Sequence, residues 1–207
     1  MLPGQGEELL IPFPGGATRQ TVPIATKFRS TWLSSSLRSL RERGLLDRYL
    51  GYLPAQHHEA VMTTVAGVWL PTEVATAHYE ACDRLGLSEE AQLAIGAEVG
   101  AHAQGTVLGT AVRLARDVGV TPWTIVSRFP QVWSRVWVGG GVAVYKLGPK
   151  EARLEIAGWP CARIPYLRTA MRGVTGGLIE MFCRKAFVTA IPKLCDDRTL
   201  AYRFSWA

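Results

Sequence analysis

Gly139-Gly140-Gly141-Val142-Ala143-Val144-Tyr145 divides this 207-residue chain into two parts with different hydrophobic periods. Upstream, residues 26–138 read as helix after helix. Downstream, Val142-Ala143-Val144-Tyr145 and Ala152-Arg153-Leu154-Glu155-Ile156 alternate as two short strands around a turn over residues 147–151. Residues 163–184 then read as one helix. Ala186-Phe187-Val188-Thr189-Ala190 and Leu200-Ala201-Tyr202-Arg203-Phe204-Ser205-Trp206 complete a second pair of strands. Helices first and strands last predict an α+β fold: an N-terminal helical bundle packed on a C-terminal four-stranded antiparallel sheet with one inserted helix. The glycine triplet enters a strand and not a helix N-terminus, so it reads as a turn and lacks the anion site of a phosphate loop.

Working back from the triplet, Thr121-Pro122 opens a helix carrying Trp123, Trp133 and Trp137, which Pro130 should break or kink. A long helix is expected from Glu89 to about Asp117, with Ser88 as N-cap and Gly119 as its stop. Gly96/Gly100 and Gly105/Gly109 lie four apart in it, so each pair shares a helical face and lets another backbone approach. Such a face serves tight helix packing, or the smooth wall of a groove for a flat or long apolar ligand. Trp69-Leu70-Pro71 punctuates the chain before a helix stopped at Gly86. The first helix is placed near Thr26, with Trp32, Leu33, Leu37 and Leu40 at helical spacing and Gly44 as its stop. Residues 1–24 form a Pro/Gly-rich leader in which Leu9-Leu10-Ile11-Pro12-Phe13 is apolar enough to add an edge strand. Residues 25–207 are expected to form a single ligand- or partner-binding domain.

With 48% hydrophobic and 19% charged residues, the chain can build a core and is not of disordered composition. A net charge of +6 favours acidic partners: nucleic acid, an anionic surface or an acidic protein face. Arg29, Arg38 and Arg41 on the first helix are the candidate anion contacts. The four cysteines form no C-x-x-C pair, which suggests reduced thiols. No secretory signal and no spanning segment is visible, so a soluble cytoplasmic protein is expected. Enzyme motifs are missing: no phosphate-binding or dinucleotide glycine loop, and no nucleophile elbow. His57-His58-Glu59 is not followed by the second histidine of a zinc helix, and His78 and His102 stand alone. No catalytic residue and no metal ligand is assigned.

The order of elements, with Trp69-Leu70-Pro71 before a helix bearing Tyr79, the glycines at 96 and 100, Phe129-Pro130-x-x-Trp133 before the glycine turn, Arg172-Gly173-x-x-x-Gly177 before Glu180, and the closing Tyr202-x-Phe204-x-Trp206, resembles the superfamily of haem–nitric-oxide-binding, four-vinyl-reductase and transport-protein-particle domains. It is most similar to a myxobacterial paralogous family within that group. The resemblance covers residues 26–206 and implies a domain that binds a small ligand or a partner, often as a dimer. The haem sensors of that superfamily carry a proximal histidine before the sheet and a Tyr-x-Ser-x-Arg motif. Residues 123–138 contain no histidine, and Tyr145 is followed by Lys146-Leu147-Gly148. No cofactor is therefore expected, haem included.

The sequence thus predicts a non-enzymatic module for an apolar small molecule or a protein partner, acting in signalling or as a scaffold and dimeric. Gly96, Gly100, Trp123, Trp133 and Trp137 are the candidate ligand-binding residues. The alternative is a nucleic-acid or anionic-surface binder using the basic helices.

Overall fold

The computed structural model describes residues 6–104 and 121–207, the side chains of 102–104 excepted. The extension of the long helix to Asp117, the Gly105/Gly109 pair, the Gly119 stop and the surroundings of His102 lie outside the described residues. The elements are β1 (Glu8–Ile11), β2 (Lys27–Arg29), α1 (Ser30–Glu42), α2 (Leu46–Tyr52), α3 (His58–Met62), β3 (Trp69–Pro71), α4 (Thr72–Asp83), α5 (Glu89–Gln104), α6 (Pro122–Val126), α7 (Phe129–Val136), β4 (Trp137–Val138), β5 (Gly141–Gly148), β6 (Glu151–Ala157), α8 (Pro165–Glu180), β7 (Ala186–Ala190) and β8 (Leu200–Trp206). The fold is α+β with antiparallel sheets, and α8 is inserted between two strand pairs as expected.

The main sheet corrects the predicted strand count. It has five strands in the order β1-β5-β6-β8-β7, because the leader contributes β1 to the edge of β5. A second, three-stranded sheet runs β3-β2-β4. Its strands β2 and β3 fall in the half expected to be wholly helical, and α1 accordingly begins at Ser30 and not near Thr26. Strands of three residues are too short to show a period. Pairing of Phe28 with both Leu70 and Trp137 holds them extended, a tertiary preference over local pattern.

Along β5, β6 and β8 the side chains alternate between two faces. The inner face presents Val142, Val144, Leu154, Ile156, Leu200, Tyr202 and Phe204 to the helices, all buried. The outer face carries Ala143, Tyr145, Arg153, Glu155 and Ala157. There the leader lies across the sheet: Phe13 and Val22 pack on Ala143 and Ala157. Arg19 Nη2 donates to the buried Glu155 carboxylate at 2.8 Å, and Arg153 pairs with the same carboxylate at 3.0 Å and with Glu7 at 2.5 Å. The glycine turn is what admits the leader. A Cβ on Gly139 would stand 2.4 Å from the Ile24 carbonyl oxygen, and one on Gly141 2.7 Å from Pro14 Cδ.

The closest contact between layers is α5 against α8. A Cβ on Gly96 would lie 1.9 Å from the Ala170 carbonyl oxygen, and one on Gly173 would lie 2.1 Å from that of Leu93. Gly100 differs, since its added Cβ would meet Val174 at an ordinary 3.5 Å. The two glycines of one helical face therefore separate by substitution. Gly96→Ala and Gly173→Ala each force backbone apart and should destabilise by about 2–3 kcal/mol. Gly100→Ala should be neutral or stabilise by up to about 1 kcal/mol through helix propensity. Urea denaturation of the three variants checks the difference.

Candidate functional site

Trp133 and Trp137 are four residues apart across the α7–β4 junction, so their indoles project to one side. They stack at 5.6 Å with 19° between planes. Phe28 stacks on the far side of Trp137 at 5.6 Å, and Trp159 stands edge-on to Trp133 and Trp137 at 5.4 and 5.3 Å. Trp133 Nε1 donates to the Gly139 carbonyl at 3.0 Å, which ties the cluster to the glycine turn. Each ring pair adds on the order of 1 kcal/mol beyond its buried area.

Between this cluster, the inner sheet face and α8 lies a cavity of about 40 Å3. Trp32 of α1, Trp133, Trp137, Val142 of β5, and Met171 and Val174 of α8 are among its walls. The lining is apolar apart from the Thr175 hydroxyl and the indole nitrogens. A second cavity of about 20 Å3 shares Trp32, Met171 and Val174 with the first. Ser36, Tyr79, Gly96 and Tyr166 face it. The interior thus has an apolar end under the tryptophans and a hydroxyl-bearing end between α1, α4, α5 and α8.

Beyond the hydroxyl end, His78 of α4 is fully buried. Its Nδ1 lies 2.7 Å from the Tyr49 hydroxyl and its Nε2 3.0 Å from Ser36 Oγ. Either tautomer satisfies both contacts, because each hydroxyl can donate or accept. Burial lowers the His78 pKa from its ordinary value to about 3, so the ring is held neutral. Both ring nitrogens are engaged, which leaves no lone pair for a metal. Burial also pushes the Cys161 thiol up to about 12, against the weaker opposing effect of its Thr76 contact, and so suppresses its nucleophilicity. All four cysteines are free thiols. Among the described residues no group of three or more His, Cys, Asp or Glu side chains is placed to hold a metal.

The predicted ligand-binding residues divide. Trp133 and Trp137 line the larger cavity and Gly96 the smaller, while Gly100 packs against Val174. Trp123 stands apart: its Nε1 donates to the Pro149 carbonyl at 2.8 Å and its ring meets Trp206 edge-on. It borders an open groove of about 400 Å3 with Leu10, Ile11 and Val144. Trp32, Val142, Met171 and Val174 were missed as site residues. Their helix and strand periodicity marks them as buried, and nothing in it separates a cavity wall from a filled core. The arginines are not gathered either. Arg29 belongs to β2, Arg38 pairs with Glu42 at 2.8 Å, and Arg41 is exposed in the last turn of α1.

No family model and no curated protein matches this sequence. Solved structures do match in fold, and they are H-NOX domains, the haem–nitric-oxide-binding fold. An unliganded ferrous H-NOX protein from K. algicida aligns with a TM-score of 0.63 at 7% identity, over 86% of this chain and 96% of that one. An H-NOX structure from a study of haem distortion aligns at 0.59 and 9% identity, over 86% and 94%. An oxygen-binding H-NOX domain related to soluble guanylate cyclases, in its oxygen complex, aligns at 0.58 and 9% identity, over 86% and 94%. At these identities the likeness establishes the fold.

The expectation of no cofactor is corrected by these neighbours. They share this fold and belong to a haem-binding group, so the fold gives no ground for excluding haem. The interior of this chain provides a test of fit. A cavity of about 40 Å3 is far below the roughly 300 Å3 at which pockets for drug-sized ligands begin. Among the described residues no histidine or cysteine lines it. In this packing a porphyrin does not fit.

The buried imidazole makes stability depend on pH. His78 stays neutral when folded and takes a proton near its ordinary pKa when unfolded. Its contribution is complete above about pH 6.5 and is lost as the pH falls towards 3. Between pH 6.5 and 5, before most carboxylates titrate, stability should fall with a slope approaching about 1.4 kcal/mol per pH unit. Urea midpoints across that range measure the slope, and His78→Phe should remove it.

Proposed function

We propose that this chain is a sensor module for signalling that binds an apolar ligand in the seam between the tryptophan cluster, α8 and the inner face of the main sheet. The observation that carries this reading is the apolar cavity walled by Trp32, Trp133 and Trp137, inside a fold whose solved examples are haem- and oxygen-binding domains. An apolar cavity of this kind favours small uncharged molecules, because little polar surface must be desolvated to fill it. A small apolar molecule is the occupant this packing admits; a flat cofactor such as haem, which does not fit it, is the other outcome that the test distinguishes. The single binding domain over residues 25–207, its dimeric and scaffolding use, its cytoplasmic location and its kinship with the wider superfamily and its myxobacterial paralogues belong to the same proposal. No described helix is long and apolar enough to cross a membrane.

Titration of the full chain with haem and, separately, with xenon, an apolar probe small enough for the cavity, tests the reading. Tryptophan emission should change in a saturable one-to-one manner for the true ligand class, and the thermal midpoint should rise. A Soret band accompanying the quenching identifies the flat cofactor, and a shift without visible absorbance identifies the small molecule. Val142→Ile, which adds a methylene to the cavity wall, should weaken binding at least fivefold without lowering stability. Met171→Ala should destabilise by about 2–5 kcal/mol and strengthen binding of the small probe. Failure of both ligands to move either the emission or the thermal midpoint overturns the proposal.

A further inference from the structure

The three-stranded sheet has one face in the core and one towards solvent. Phe28, Leu70 and Trp137 form the inner row through their pairing across β3, β2 and β4. Alternation then sends Lys27 and Arg29 outward, together with their partners Pro71, Trp69 and Val138. Trp69 is 37% and Val138 42% exposed. In the loop ahead of β3, Val65 is 68% exposed and Val68 39%, with Met62 exposed at its start. Residues 62–71 contain no charged side chain, in a chain where about one residue in five is charged. The charges on this face come from β2 and both are basic. Arg29 lies over the Trp69 ring at 4.4 Å and donates to the Gly67 carbonyl at 2.7 Å, which fixes the indole and the loop to one another.

We infer that this face docks on an anionic lipid bilayer. An exposed indole beside aliphatic tips and flanked by Lys and Arg matches the headgroup boundary, where rings sit at the polar level and basic side chains reach phosphates. The uncharged loop enters without carrying a charge into the acyl region. The basic pair supplies the charge complementarity, adding to the chain's net charge of +6. Nucleic acid would use the basic pair and leave Val65, Val68 and Met62 in water. The acidic residues nearest in sequence flank the uncharged stretch, Glu59 in the first turn of α3 and Glu73 in the first turn of α4, so neither falls within residues 62–71. The inference is independent of the interior cavity and of what fills it.

Co-sedimentation of the full chain with vesicles of phosphatidylcholine alone, and with about one third phosphatidylserine, tests it. The chain should partition onto the serine-containing vesicles and be released as salt rises. Lys27→Gln should lower the partition about fivefold, the effect of one basic residue at an anionic surface. Val65→Ser, at a side chain that makes little contact with the fold, should lower it further, while circular dichroism and thermal midpoint stay unchanged. Arg38→Gln, far along α1 and paired with Glu42, serves as the control and should bind as the parent does. No partition onto serine-containing vesicles at low salt overturns the inference. So does partition that Val65→Ser and Lys27→Gln leave intact. Loss of partition equal in Arg38→Gln and Lys27→Gln also overturns it, since that pattern marks diffuse charge and not this face.

Discussion

The contact at Gly96 and Gly173 sets the geometry on which the other packing depends. Helices whose interface carries side chains usually pack with axes about 8–10 Å apart, because those side chains must interdigitate. Here each glycine faces a carbonyl oxygen of the other helix at a separation no Cβ could occupy. The α5 and α8 backbones therefore meet directly. Met171 and Leu178 of α8 face the main sheet beside Val142 and Ile156, while α1 packs on α5 and α4 packs on α8, so both helices are referred to the strands through this pair. Dispersion over a close backbone contact is gained at every atom pair, so the loss of two side chains is offset by density. The cost falls on adaptability: neither helix can shift without carbonyl oxygens colliding.

A second constraint acts at the opposite side of the sheet. The outer face of β5 and β6 would expose Ala143 and Ala157 beside a carboxylate that is almost wholly buried, Glu155. The leader answers both needs, placing Phe13 and Val22 on the alanines and Arg19 on the carboxylate. Removing one partner of a buried ion pair is costly because the other charge stays desolvated. Glu155 meets Arg153 as well as Arg19, so the leader is one of two contributors to its neutralisation. Glycines 139 and 141 bring the leader close enough for this, and Gly139 at a φ of 85° adopts a backbone state that side-chain-bearing residues avoid. The same turn receives the Trp133 indole hydrogen, so the leader, the turn and the tryptophan cluster are mechanically continuous.

Much of this was legible in the sequence because it rests on long periodic segments. The β5–β6 and β7–β8 strands, the inserted helix, the break at Pro130 and the close approach at Gly96 follow from alternation, helical spacing and missing side chains. The small sheet was not legible. Lys27–Arg29 and Trp69–Pro71 are too short for a period, and Lys27 to Arg29 continues the helical pattern of α1 without interruption. Only the partner strands reveal it. The candidate site was half legible: tryptophans at spacing four announced a shared face, yet Trp123 carries the same residue type to an unrelated groove beside Trp206. Burial is written in hydrophobic pattern, whereas the location of a void depends on how three elements fail to fill the space between them.

That failure has a structural cause. The glycine contact fixes α8 relative to α5, and the inner strand pairs fix the sheet, so the seam between them has a set width. Into it come two stacked indoles, planar and rigid, held from above by Phe28 and at the edge by Trp159. A flexible side chain would adjust to residual space, whereas a stacked pair locked by a hydrogen bond at Gly139 cannot. The space they leave is apolar because aliphatic and aromatic side chains form most of its wall, and nearby polar groups are engaged elsewhere: the His78 nitrogens on Tyr49 and Ser36, the Tyr202 hydroxyl on the Arg168 carbonyl. The strip formed by Phe28 and Trp137 then acquires a double position. It is a wall of the cavity's aromatic cluster on one side and the underside of the exposed Lys27–Arg29–Trp69 face on the other. A single layer of sheet separates what the interior holds from what the surface meets.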